Sequence, residues 1–220
     1  MGEPQSIGAV IDTDRLREAA SRHAGTSADN PKIADDRRRS AELLAQLETV
    51  RDRRWRDLIP PRFHDATVDD LTGNLRAAAD RWIDGGLAAN VILLGPVGVG
   101  KTHTGVAFAR AAFDAGRTIR FVSTDELLEG LRPSGGIRWR PDRVDVLVLD
   151  DLGREKPTDW SATTLDGIID RRWKAELPTI VTSNLDPDAL ATHVGPRLWS
   201  RLYDSAVRHT VAGDDRRIRR

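Results

Sequence analysis

From residue 91 onward, short apolar runs alternate with longer stretches in which apolar residues recur every three or four positions. The runs at 91–95, 119–123, 145–150 and 179–183, with a weaker one at 207–212, have the length and β-branched content of buried strands. The stretches between them, near 101–115, 124–131, 159–174 and 186–204, read as helices. This alternation predicts an α/β fold in which helices cover both faces of a parallel sheet. In such sheets ligands bind at the carboxyl ends of the strands.

Upstream the pattern is helical. Asp65 to Asp84 reads as mostly helix, stopped by Gly85-Gly86. Asp35 to Leu58 reads as a longer helix, with Leu43, Leu44, Leu47, Val50 and Leu58 roughly on one face, ended by Ile59-Pro60-Pro61. Its other face is crowded with Arg37, Arg38, Arg39, Arg51, Arg53, Arg54 and Arg56, interleaved with acids. Two readings stay open, a solvated ion-paired face and a partner-docking face. Asp12 to Ala24 is a further short helix, capped by Asp12 or Thr13 and stopped by Gly25, and residues 25–31 read as a linker. The division expected is a small helical N-terminal region, 1–58, and an α/β core, 59–220.

Composition narrows the classes. The 220 residues are 39% hydrophobic and 31% charged with formal net charge +0, so any nucleic-acid contact must be a local patch. There is no cysteine, which excludes disulfides and thiolate metal sites. No apolar stretch approaches the roughly 18 residues of a membrane span. Residues 1–10 lack a basic-then-apolar leader pattern, so the expectation is a cytoplasmic protein with no membrane partner.

The chemistry concentrates where strands end. Gly95-Pro96-Val97-Gly98-Val99-Gly100-Lys101-Thr102 fits the phosphate-loop pattern without a mismatch, between an apolar strand and an Ala-rich helix that continues through His103. That context lets backbone N–H groups wrap a phosphate at a helix N-terminus. The chain otherwise favours arginine: its four lysines are Lys32, Lys101, Lys156 and Lys174. A compact ammonium suits the loop position, where it can reach the β- and γ-phosphates. Val146 to Leu149 leads into Asp150-Asp151, which suits a Mg²⁺ carboxylate beside one that orients an attacking water. Thr102 and Asp150 are the expected metal residues, and Asp151 the water residue. Asn184, ending Thr179–Ser183, either reaches the γ-phosphate side or simply closes a strand before Pro187. Arg197 and Arg201, four apart, share a helix face, either as surface arginines or as a charge offered across a subunit interface.

Together these elements resemble the AAA+ ATPases. More narrowly, the chain is similar to the group holding bacterial helicase loaders of the DnaC and DnaI type and IstB-type ATPase helpers of insertion-sequence transposition. The similar text runs from about residue 59 to 217. It includes Ile59-Pro60-Pro61-Arg62-Phe63, Gly95 to Thr102, Asp145 to Gly153, Asp159-Trp160, Ile168 to Arg172, Pro178 to Asn184, Arg197 to Leu202 and Gly213 to Arg216. The resemblance implies a P-loop core that binds ATP with Mg²⁺ and hydrolyses it to ADP and phosphate. It makes Asn184 the sensor residue and Arg201 the finger acting on a neighbouring subunit's ATP, with Arg197 as a second residue acting in trans. The catalytic set so implied is Lys101, Asp150, Asp151, Asn184 and Arg201.

The resemblance also implies self-association, single-stranded DNA as a ligand and a replicative helicase hexamer gripped by the N-terminal region. No substantial C-terminal lid is expected after the fifth strand, as in many helicase loaders. In DNA-melting relatives an extra helix near residues 131–144 touches DNA; here Arg132, Arg138, Trp139, Arg140 and Arg143 offer charge and a stacking ring, or form a solvated loop. The leading expectation is an ATP-dependent loader that delivers a replicative helicase onto single-stranded DNA. Alternatives are a regulator of DNA transposition and a nucleotide-sensing adaptor with little hydrolysis.

Overall fold

The structure is a computed structural model that describes residues 31–204 and 206–213, with side chains from residue 35 onward. The expected helix at Asp12–Ala24 lies outside the described residues. The backbone divides into two units between Asp57 and Leu58.

The described part of the first unit is helix α1, Pro31–Leu58, which crosses the division by its last residue. Its arginines pair along the helix, Arg38 with Glu42 and Arg39 with Asp35, and these pairs are exposed. The expected apolar face is only partly covered. Leu44 and Leu47 are half-buried, whereas Leu43 and Val50 are more than half exposed.

In the second unit, 3₁₀ turns at Pro61–Phe63 and Val68–Asp70 precede α2, Gly73–Asp84. The α/β order follows: β1 Val91–Leu94, α3 Lys101–Asp114, β2 Ile119–Ser123, α4 Thr124–Leu131, β3 Val146–Asp150, α5 Asp159–Lys174, β4 Thr179–Ser183, α6 Pro187–Val194, α7 Pro196–Tyr203 and β5 Val207–Thr210. All strand pairs are parallel, in the order β2-β3-β4-β1-β5. Strand order therefore places the end of β1 beside that of β4, with β3 next along.

Strand alternation sends successive side chains to opposite faces. Ile92, Leu94, Leu147, Leu149 and Val181 join a buried cluster with Leu127 of α4, Leu165 and Ile168 of α5, Leu190 of α6 and Leu198 and Leu202 of α7. On the other face α3 lies close to the sheet. A Cβ built on Gly105 would be 3.4 Å from side-chain atoms of both Ile180 and Thr182. Helix starts carry their own signals: Ser123 accepts from Glu126 N, Thr158 from Ser161 N and Asp186 from Ala189 N.

Two expected helices divide and three expected strands shorten. The helix expected over 186–204 is two helices, because Gly195 takes φ 81° and Pro196, which has no N–H, starts a new one. Asp65 to Asp84 is a 3₁₀ turn followed by α2, separated by extended Leu71 and Thr72. The strands expected at 91–95, 145–150 and 207–212 are shorter, at 91–94, 146–150 and 207–210.

Arg172 of α5 is a buried arginine that braces the N-terminal ends of β3 and β4. Its Nε donates to Thr179 Oγ1 (3.0 Å), Nη1 to the carbonyls of Pro141 (2.7 Å) and Val144 (2.8 Å), and Nη2 to those of Asp145 (3.1 Å) and Pro178 (2.6 Å). Burial pushes its pKa down to about 10, against the raising influence of Asp145 and Asp142. Among the described residues no helix is long and apolar enough to cross a membrane.

Candidate nucleotide site

The loop between β1 and α3 takes its shape from glycine. Gly98 and Gly100 adopt φ 86° and 101°, a region costly for residues with a Cβ. Gly95 also has positive φ, and a Cβ there would stand 2.3 Å from the Val211 carbonyl oxygen. The chain past β5 runs that close because Val211 N donates to Leu94 O. Pro96 and Val97 form the exposed outer edge of the loop, and Val99 is buried beneath it. The loop opens directly into α3, whose N-terminal N–H groups and dipole favour an anion there.

Lys101 is 5% exposed and crosses the loop. Its Nζ donates to Pro96 O at 2.7 Å and to Asn184 Oδ1 at 2.7 Å. The Leu94↔Ser183 register explains the second bond, since Asn184 leaves β4 level with the start of the loop. Lys101 and Asn184, 83 positions apart, thus meet beside the glycine loop.

One position further, Thr102 Oγ1 donates to Asp150 Oδ1 at 3.0 Å. Thr182, fully buried on β4, donates to the same oxygen at 2.6 Å and accepts from Asp151 N at 3.0 Å. Asp151 holds φ 56°, a left-handed conformation uncommon for a non-glycine residue. Its Oδ1 lies 3.5 Å from Asn184 Nδ2, and Arg154 Nη1 is 3.6 Å from Oδ2. Burial raises the Asp150 carboxyl above the ordinary range, the Thr182 hydrogen bond opposes that, and the charge of Asp151 adds to it. Two oxygen ligands, the Thr102 hydroxyl and the Asp150 carboxylate, suit a hard divalent cation.

The loop after Asp151 is tied down. Glu155, 5% exposed, accepts from Gly153 N at 2.8 Å and lies 2.8 Å from His193 Nε2 of α6. Ser183 Oγ donates to Leu152 O at 2.6 Å. His103 is half-buried on the first turn of α3, with Nε2 3.5 Å from Asp70 Oδ2 on the second 3₁₀ turn.

The structure thus brings Lys101, Thr102, Asp150, Asp151 and Asn184 to one place. It puts Arg201 elsewhere, on α7, where Nη1 meets Asp166 Oδ1 at 2.9 Å and Nη2 meets Asp170 Oδ1. Arg197 shares those carboxylates, at 3.5 Å and 4.0 Å. Two of the four arginines suggested for DNA are paired within the fold, with side chains still more than half exposed. Arg132 pairs with Glu129 and lies over the Trp160 ring, and Arg140 pairs with Asp142. Trp139 is half-buried against the core with Arg120 over its ring, which removes much of its value as a stacking platform.

Sequence reasoning missed Thr182, Arg154, Glu155 and His193. Thr182 carried one signal, a hydroxyl at the end of an apolar strand aimed at the same edge as Asp150.

Known proteins share this architecture. The crystal structure of DnaI is similar, with TM-score 0.62 and 27% identity, covering 72% of this chain and 94% of that one. The crystal structure of the DnaC helicase loader shares the fold at TM-score 0.59 and 22% identity, covering 70% of this chain and 100% of that one. An ATP-binding protein in an insertion sequence of Mycobacterium tuberculosis is 36% identical over 134 residues, 58% of this chain and 50% of that protein. The replicative helicase loader DnaI of Bacillus subtilis is 30% identical over 151 residues, 60% of this chain and 49% of that protein. The chain spans about half the length of the curated relatives it matches. The family described as IstB-like ATP binding protein matches residues 34–210. With the P-loop fold, the glycine loop and this match over most of its length, the chain belongs to the IstB-like ATP-binding family.

Proposed function

We propose that the chain is an ATPase subunit that uses Mg²⁺·ATP as an assembly switch on DNA. The observation that carries this reading is the convergence of Lys101, Thr102, Asp150, Asp151 and Asn184 at the ends of β1, β3 and β4. Backbone N–H groups of Gly98 to Thr102 would cradle the β-phosphate, with Lys101 neutralising the β- and γ-oxygens. Thr102 and Asp150 would hold Mg²⁺, which supplies charge neutralisation on the phosphates when bound. Lys101 and Asn184, now bonded to each other, would turn toward the γ-phosphate. Asp151 would accept a hydrogen bond from the attacking water, steadied by Asn184. Arg201 would serve a neighbouring subunit's nucleotide.

The partner in this reading is a replicative helicase, gripped by residues 1–58 and loaded onto single-stranded DNA in the cytoplasm. The similarity to DnaI, both in sequence and in fold, supports it. A second reading, an ATPase of DNA transposition, is favoured by the family match and by the insertion-sequence relative. Light scattering of the purified protein with its host's replicative helicase, ATP and Mg²⁺ separates the two. A large complex that is lost on deleting residues 1–58 is expected for the loader. Absence of a complex, with filaments on duplex DNA, would transfer the assignment to transposition.

A further inference from the structure

Arg201 and Arg197 stand four apart on α7, and Asp166 and Asp170 stand four apart on α5. Equal spacing turns two helix faces into a charge ladder. Arg201 is its inner rung. Its side chain is 16% exposed, each terminal nitrogen is on a different carboxylate, and the Trp173 ring is 6.0 Å from the guanidinium carbon. Arg197 is the outer rung, with its side chain 68% exposed.

Compensation runs both ways. Asp170 Oδ1 is buried and receives no well-directed hydrogen bond; the charges beside it are Arg201 and, at 4.0 Å, Arg197. Its other oxygen takes Lys174 Nζ at 2.8 Å. The helix backbone behind the arginine is fixed as well. Asn90 Nδ2 donates to the carbonyls of Arg201 and Leu202, both at 3.1 Å, while its Oδ1 accepts from Thr179 N at 2.8 Å. Asn90 immediately precedes β1, the strand that leads into the phosphate loop.

A guanidinium has five N–H donors in a rigid fork, so two carboxylate contacts leave donors for a third anion. We infer that Asp166 and Asp170 are positioning residues that hold Arg201, with Arg197 beside it, in the orientation needed to meet the γ-phosphate bound by a second copy of this chain. The inference rests on the reading of Arg201 as a residue that acts in trans. A preset fork avoids ordering a long side chain at the moment of reaction, and misplacement by about 1 Å can cost on the order of 100-fold in rate.

The test mixes subunits. A Lys101→Ala subunit has no working site of its own but can donate its arginine, and an Arg201→Ala subunit keeps its site but lacks one. Their mixture should regain hydrolysis that neither shows alone. Donors carrying Lys101→Ala with Asp166→Asn and Asp170→Asn should restore roughly 10-fold less or lower. The Asp166→Asn, Asp170→Asn protein with Lys101 intact should bind a fluorescent ATP analogue as wild type does, which shows that its fold and its own site survive. Equal or faster hydrolysis with the carboxylate-free donor, at equal mixing, would overturn the positioning role. No recovery even with the simple Lys101→Ala donor would instead remove the trans reading beneath it. If the doubly substituted chain does not fold, Asp166→Asn alone gives the same comparison.

Discussion

Thr182 and Asp150, on adjacent strands, share a 2.6 Å hydrogen bond, and the same hydroxyl accepts from Asp151 N. One threonine thereby holds the Asp150 carboxylate and the backbone of Asp151 just past β3. Were Mg²⁺ bound, Thr102 Oγ1 would offer it a lone pair while still donating its proton to Asp150 Oδ1, and Thr182 would go on holding the same carboxylate oxygen. Removing the hydroxyl as Thr182→Val keeps shape but leaves Asp151 N without its acceptor. Hydrolysis should fall by roughly 10- to 100-fold, as for loss of an oriented acid–base group. Thr182→Ser should restore most of it. Steady-state phosphate release, set beside nucleotide binding in EDTA that stays unchanged, checks this.

Asn184 holds Lys101 and lies next to Asp151. Asn184→Ala should leave ATP affinity within a few-fold, because the loop and the lysine remain. Hydrolysis should drop by about 100-fold, the typical loss for one preorganised donor at a reacting centre. Titration calorimetry and single-turnover hydrolysis separate the two quantities.

Asp150 sets stability against chemistry. Its burial favours the neutral form, so at neutral pH the folded chain carries a carboxylate its surroundings disfavour. Asp150→Asn removes that charge while an amide oxygen can still accept from Thr182 and Thr102. The variant should melt at a higher temperature than wild type at pH 7 and hydrolyse no ATP, measured by calorimetry and phosphate release. A lower melting temperature would show that hydrogen bonds to the ionised form outweigh desolvation.

Arg172 makes the opposite case. Arg172→Met fills much of the space but takes the guanidinium donors from the carbonyls of Pro141, Val144 and Asp145, and leaves Pro178 O only Leu147 N at 3.4 Å. Each stranded buried acceptor costs about 1–3 kcal/mol, so a total loss of about 3 kcal/mol or more is expected. Arg172→Lys should recover only a fraction, since an ammonium cannot reproduce the fork. Denaturant midpoints at constant m-value measure both.

Much of the fold and of the site is legible in the residues alone. Strand runs and the glycine loop are local signals, and Val91–Leu94, Gly95–Thr102 and Asp150-Asp151 fall where the apolar pattern puts them. The Gly195-Pro196 break is also local, and the apolar pattern on either side conceals it. What periodicity cannot give is a partner. Glu155 and His193 are 38 positions apart, and Thr182 and Asp150 are 32 apart. Those pairs exist only because β4 lies beside β3 and α6 follows β4. Arg172 does carry a readable sign. It continues the buried stripe Leu165, Ile168, Ile169, where a charge must find internal partners.

The proposed ATPase stands or falls on Lys101 within the Gly95–Thr102 loop. Titration calorimetry with Mg²⁺·ATP, paired with phosphate release, on wild type and Lys101→Ala decides it. Saturable binding and turnover are expected in the wild-type chain, with loss of both in Lys101→Ala and an unchanged melting curve in the absence of nucleotide. Binding and hydrolysis that persist in a folded Lys101→Ala protein would contradict an ATP-hydrolysing site built on this lysine.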